Sequence, residues 1–300
     1  MISPPAAAMG VAVALDAGMG EFPERFHPVA VFGRFVDLFD REWRHPQAVG
    51  VLLALGLPAI AAMLMGGIVT FAIDLHHLSG VVVAGLVLFS TISLRMLLVV
   101  VRDVVDLTNS DIARARLEVR SLVGRDTSVL APSEIRSAAI ESLGENLSDG
   151  LVAPLFGFAI GAQVSVAVGV GMAVWIKAVN TLDSMLGYET KDIGWASARL
   201  DDLVMWIPAR LTAILISVAA RDPRSLLRAR PFVNKPRSPN SGWPMATIAE
   251  VLGVRLQKPG EYTLNPSGQD PTSDHARRAI RVAAVAGFLA VAITGVTVWS

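Results

Sequence analysis

The chain has 300 residues, 53% hydrophobic and 17% charged, with acids and bases in equal number and no cysteine. Soluble domains carry about 25% charged residues, so this balance, with a mean hydropathy of +0.53, points to the bilayer. Zero net charge argues against a nucleic-acid partner, which needs a basic face. The missing thiols exclude disulfides, iron–sulfur clusters and cysteine zinc sites.

The opening "MISPPAAAMGVAVALDAGMG" lacks a basic leader, and Asp16 interrupts its apolar run. It reads as a retained helix in or against the membrane. Four segments, 50–73, 80–101, 151–176 and 279–299, are apolar and long enough to span roughly 30 Å of hydrocarbon. A fifth, 203–220, is shorter and carries Pro208 and Arg210. The segment 108–123 reads as an amphipathic surface helix with Ile112, Ala115 and Val119 on one side. "APSEIRSAAIESLGENLSDG" starts a helix at Pro132–Ser133 and ends it at Gly150. Residues 221–278 hold eight prolines and read as a long structured loop. The fold class is therefore all-α: a polytopic integral membrane protein of about four to five transmembrane helices, with surface helices and a Pro-rich loop, in one domain over 1–300. No internal repeat supports a transporter symmetry.

Basic residues set a topology question. Six Arg in 102–148 and ten Lys/Arg in 221–278 place both stretches in the cytoplasm. If 151–176 and 203–220 each span once, 177–202 falls on the opposite side. Re-entrant or buried runs at 157–171 and 203–220 are the alternative.

That stretch, "KAVNTLDSMLGYETKDIGWASARLDD", crowds charge between two apolar runs. Asn180, Asp183 and Ser184 share a helix face, and Arg199, Asp201 and Asp202 follow Ser197, a natural N-cap. Capping accounts for one acid, not for two plus Arg199. Glu141, Glu145 and Asp149, spaced i, i+4, i+8 with Asn146 beside them, form a carboxylate stripe; a solvated helix face is the bland alternative. Arg210 and Arg95 sit in apolar runs, where a charge wants a partner or a cavity. "GRDTS" around Arg125 fits an anion-binding turn or a plain surface turn. "NKPRSPNSGWP" offers Lys235, Arg237, Asn240 and Ser241 for phosphate and amide recognition, and His27 reads as a packed histidine. No P-loop, dinucleotide fingerprint or HExxH occurs.

The longest of these motifs carry a resemblance. "AAIESLGENLSDGLVAPLF", "KAVNTLDSMLGYETKDIGWASARLDDLVMWIPARLTA" and "NSGWPMATIAEVLGVRL" resemble the adenosylcobinamide-phosphate synthase family of cobalamin biosynthesis. "GRDTSVL" and "HPVAVFGR" resemble it at matching places, so the similarity runs from about residue 16 to 281. It implies an inner-membrane ligase whose site faces the cytoplasm and which amidates one propionate of adenosylcobyric acid. The amine is aminopropanol or its O-phosphate, ATP with Mg²⁺ drives the step, and membrane lipid and other membrane enzymes of late cobalamin synthesis are further partners. A carboxylate does not react with an amine at neutral pH, so an acyl phosphate is the expected route, made by positioning and charge neutralisation.

Such a transfer wants acidic magnesium ligands and bases around the phosphates, and the acidic clusters with their neighbouring bases supply those groups. Asp183 and Asp202 are expected to hold the metal, with Glu141 and Glu145 as further ligands and Arg199 beside them in catalysis. Arg125, Asn146, Asn180, Arg210, Asn240 and Ser241 are expected to bind nucleotide or substrate. Two departures stand out. The family's "GDP" triplet before HPV is replaced by "GMGEFPERFHPV", with Glu21 as the nearest acid, and 258–275 is shortened, which bears on amine choice. A membrane corrinoid carrier without turnover is the rival reading. A CDP-alcohol transferase is set aside, because Asp149-Gly150 runs into "LVAP".

Overall fold

A computed structural model describes residues 3–23, 25, 27–188 and 191–299. Helix α1 (Pro4–Met19) starts at Ser3, whose hydroxyl accepts from the Ala6 N–H, with prolines in the first turn where no N–H is needed. His27 caps α2 (Pro28–Asp37) by accepting the Val29 N–H on Nδ1 at 3.2 Å. Next come α3 (Pro46–Leu75), α4 (His77–Phe89) and α5 (Leu94–Ser110). The break between α4 and α5 falls in an apolar run, and local hydroxyls satisfy the backbone it frees. Ser90 donates to the Val87 carbonyl and Thr91 to that of Leu88, both at 2.7 Å.

The short α6 (Ile112–Glu118) is capped by Asp111, and Ala115 and Val119 are buried as the amphipathic pattern predicts. Pro132 opens α7 (Pro132–Leu147), where the Glu134 carboxylate accepts the Ala131 N–H at 2.7 Å. A widened turn over Ser148–Val152 leads into α8 (Ala153–Ala162) and α9 (Val166–Leu186). Then follow α10 (Trp195–Val204), α11 (Trp206–Ala219), α12 (Ser225–Ala229) and α13 (Gly242–Leu252). A hairpin of β1 (Leu256–Lys258) and β2 (Tyr262–Leu264) precedes α14 (Ser273–Trp299).

Among the described residues four helical segments are long and apolar enough to cross a membrane: Pro46–Leu75, His77–Ser110, Val166–Leu186 and Ser273–Trp299. A fifth arises if Asp192–Val204 and Trp206–Ala219 count together. The all-α membrane reading holds.

Three boundaries differ from the sequence reading. The run 151–176 is not one span: the chain turns at 163–165 and returns as α9. Glycine makes that hairpin possible, since a Cβ on Gly161 would lie 2.6 Å from the Val168 carbonyl oxygen and one on Gly169 3.0 Å from that of Phe158. The charged stretch 177–202 is accordingly helical from Lys177 to Leu186, as the second half of α9. Its Glu189 and Thr190 lie outside the described residues, as do Glu24 and Phe26 near the N-terminus. The Pro-rich 221–278 stretch is not a loop but holds α12, α13, the hairpin and the start of α14. Pro244 falls in the first turn of α13 and does no harm there, and Gly253, at φ +69°, closes that helix in the left-handed conformation.

The chain forms two compact units. One comprises Met1–Ser93, Asp149–Met205 and Val291–Ser300; the other comprises Leu94–Ser148 and Trp206–Ala290. In the first, α9 packs on α3, α8 and α2, with Val36, Leu53, Leu182, Leu186 and Ile193 buried together. In the second, α7 packs on α5, α13 and β1, and Ile135, Ile140, Leu143 and Leu147 are fully buried.

Candidate functional site

The first unit gathers acids. Asn180, on α9, donates through its amide nitrogen to Asp149 Oδ2 at 3.2 Å and Asp201 Oδ1 at 3.4 Å. Asp183 lies three residues beyond Asn180 on the same face, and Asp202 adjoins Asp201 on α10. The carboxylates of Asp149, Asp183, Asp201 and Asp202 repel one another. Asp202 pairs with the exposed Arg199 at 3.4 Å. Asp183 folds back at the end of α9, where a Cβ on Gly187 would collide with its Oδ1. That oxygen is buried and has no hydrogen-bond partner among the described residues.

One cation inside this group escaped the sequence reading. Lys177, one turn before Asn180, faces Asp149, Glu21 and Asp201 electrostatically. Glu21, the acid shortly before the HPV motif, thus belongs to the same neighbourhood. Burial raises its carboxyl above the usual range, and Lys177 partly offsets that. His27 is held below its ordinary value, first by burial and then by Lys177, and its Nδ1 is spent on the cap of α2. Beside the acids lies a mostly apolar cavity of about 300 Å³, lined by Phe32, Leu57, Leu64 and Thr91 and reaching Lys177 and Thr181.

The second unit holds a different arrangement. Glu141, on α7, is 4% exposed. Its Oε1 accepts from the Ser137 hydroxyl at 2.8 Å and its Oε2 from the Tyr262 hydroxyl at 2.9 Å, with Arg125 Nη2 at 3.6 Å from Oε2. Burial pushes the Glu141 carboxyl up, and Arg125, Ser137 and Tyr262 pull it back. Burial and the adjoining carboxylate push the Tyr262 hydroxyl up. Ser137 also accepts the Gln257 N–H at 2.9 Å, which fastens the hairpin to α7. Hairpin register sets Lys258 opposite Tyr262, so the two share a face. Together with Arg125, Glu141 and Glu145 they line a chamber of about 130 Å³. The "GRDTS" turn is braced from behind, since the fully buried Thr127 hydroxyl donates to the Arg116 carbonyl at 2.6 Å.

The carboxylate stripe therefore divides. Glu141 and Glu145 belong to the chamber, Asp149 to the acids around Asn180. The exposed Asn146 folds back on Ser142, donating to its carbonyl at 3.0 Å. Among the described residues Arg210 is paired with no carboxylate. It donates to Asn240 Oδ1 at 2.7 Å and the Trp206 carbonyl at 2.8 Å, and lies over the Trp206 and Trp243 rings at 4.4 and 5.1 Å. Asn240 is thus buried as the anchor of Arg210, and Ser241 is the residue before α13, accepting the Met245 N–H on its carbonyl.

Among the described residues no group of three or more His, Cys, Asp or Glu is placed to hold a metal by itself. A magnesium ion delivered on a nucleotide needs only one or two carboxylates, because phosphates and waters complete its shell. The unpartnered Asp183 oxygen among mutually repelling carboxylates fits such an ion. Glu141 fits it poorly, because both its oxygens are taken and a guanidinium stands beside them.

Comparison with known proteins gives one answer. The family model described as CobD/Cbib protein matches residues 9–297. The chain is 34% identical to a probable cobalamin biosynthesis protein CobD of Methanothrix thermoacetophila, over 95% of this chain and 94% of the relative. It is 38% identical to the cobalamin biosynthesis protein CobD of Pelobacter propionicus, over 87% and 83%. The same-named protein of Rhodobacter capsulatus is 34% identical over 98% of both chains. No solved structure matches.

Proposed function

Because this chain belongs to the CobD/Cbib family, we propose that its part in cobalamin biosynthesis is that of an ATP-dependent amide ligase. The substrates would be adenosylcobyric acid and aminopropanol or its O-phosphate, and the product adenosylcobinamide or its phosphate. The observation that carries the nucleotide part of this reading is the partnerless Asp183 oxygen among the carboxylates around Asn180. Clustered anions of this kind are costly unless a cation completes them.

In this reading Asp183 and Asp202 hold the nucleotide's magnesium, and Asp149 and Asp201 shape the cluster through Asn180. When bound, the magnesium nucleotide supplies the phosphoryl group and neutralises charge as the carboxylate is activated. Lys177 balances the acids and keeps them close, and Arg199 steadies Asp202. Glu141 serves to fix Arg125 and Tyr262, not to bind metal. The site faces the cytoplasm, where ATP is, and the membrane is the inner one.

The test is conversion by the purified, detergent-solubilised protein. Adenosylcobyric acid, the amine, ATP and Mg²⁺ should give a cobinamide species with loss of ATP. Corrinoid binding without any product would favour the carrier instead.

A further inference from the structure

The chamber of the second unit has a lining that the nucleotide reading does not use. It is small, about 130 Å³, well below the roughly 300–1,000 Å³ of sites for drug-sized ligands. A nucleotide or a corrin does not fit there. Its charges come in two signs from three elements: Arg125 from the turn, Glu141 and Glu145 from α7, and Lys258 from the hairpin. A metal ion is disfavoured by the two bases, and a bare anion by the two acids. What matches both is a short molecule with a charge of each sign.

The donors are arranged for the anionic end. Arg125 is held from below by Glu141 and donates to the Gln257 carbonyl at 3.4 Å, yet its Nε is buried with no partner among the described residues. An acceptor delivered by a ligand would complete it. Lys258 lies across the chamber, its ammonium 2.9 Å from Glu261, and Tyr262 shares its face of the hairpin. Glu145, one turn beyond Glu141 on the same side of α7, is the carboxylate for the cationic end.

We infer that this chamber is the binding site of a small zwitterion, a primary amine carrying a phosphate or carboxylate, with Arg125 and Lys258 on the anion and Glu145 on the ammonium. This rests on the ligase reading only for the choice of probe, since the amine consumed by such a ligase has this chemistry when phosphorylated. The shortened 258–275 segment then takes part in amine choice, because it supplies Lys258 and Tyr262.

Full-length protein in detergent tests this in two ways. Direct calorimetric binding would compare aminopropanol O-phosphate, unphosphorylated aminopropanol, a short amino acid and inorganic phosphate. The phosphorylated amine should bind at least about tenfold more tightly than either the bare amine or phosphate alone, because only it satisfies both ends; if the amino acid matches it, the anion recognised is a carboxylate. Arg125→Gln strands the buried Glu141 and risks misfolding, so Lys258→Gln and Glu145→Gln carry the comparison. Each should weaken binding about tenfold, and in turnover should raise the amine KM by a similar factor with the ATP KM unchanged. No binding by the wild type, or variants that move the ATP KM and leave the amine KM alone, would overturn the assignment. If the wild type binds the zwitterion but forms no amide, the ligase reading fails while the pocket stands.

Discussion

The two units treat buried charge in opposite ways. Around Asn180, four aspartates crowd against one another, one carboxylate oxygen has no partner among the described residues, and the balancing bases are Lys177, which acts on Asp149 and Asp201, and Arg199, paired with Asp202. Around Glu141, a single deeply buried carboxylate has each oxygen occupied, by Ser137 and by Tyr262, with Arg125 alongside. The first arrangement is incomplete without a cation; in the second the carboxylate itself is satisfied, and what lacks a partner among the described residues is a donor, the Arg125 Nε. An incomplete anionic cluster suits a metal that arrives with substrate. A satisfied network suits a pocket whose shape must not change.

That contrast is broken most directly at Asp183. Asp183→Asn keeps volume but removes the charge a hard cation needs, so amide formation should fall on the order of 10²-fold or more. The thermal melt should hardly move, since repulsion is relieved. Asp202→Asn should behave alike. A melt that drops in step with activity would make these residues structural.

Lys177→Met comes next and should do the reverse, lowering stability by about 3 kcal/mol or more, because acids lose the base among them. A melt unchanged in this variant would mean that the cluster is solvated and needs no internal counter-charge. In the other unit, Glu141→Gln should cost about 1–3 kcal/mol by stranding Arg125, and Tyr262→Phe about 1 kcal/mol, the worth of one hydrogen bond. Both are read by thermal unfolding, with activity followed separately. Smallest is His27→Ala, which removes a helix cap: about 1 kcal/mol and near-normal turnover. A large loss of turnover at preserved stability would give His27 a chemical role instead.

How much of this was readable beforehand depended on range along the chain. Long apolar runs announce themselves, so α3, α4 with α5, and α14 fall where hydropathy places them. The α8–α9 hairpin shows only as the re-entrant alternative at 157–171, because its turn, Gln163–Ser165, interrupts the apolar run too briefly to divide it. Strands of three residues carry too little alternation to be seen, and the prolines around them read as loop. Asn180, Asp183 and Asp202 stand out through local density of charge. Lys177 does not, although a lysine inside "AVWIKAVN" wants a counter-charge by the same logic that singled out Arg210. The pairing of Glu141 with Tyr262, 121 positions away, has no local signature at all. The regular helical spacing of Glu141, Glu145 and Asp149 even suggests one site, whereas Glu141 and Glu145 line the chamber and Asp149 accepts from Asn180.

The division of roles between the two units is tested by one titration. Initial rates of amide formation would be measured against free Mg²⁺ at saturating ATP and amine, in the wild type, Asp183→Asn and Glu145→Gln. The account predicts that Asp183→Asn shifts the half-saturating Mg²⁺ concentration upward by about tenfold or abolishes saturation, while Glu145→Gln leaves it where the wild type has it. A shift in Glu145→Gln with none in Asp183→Asn would put the metal in the chamber and contradict the account.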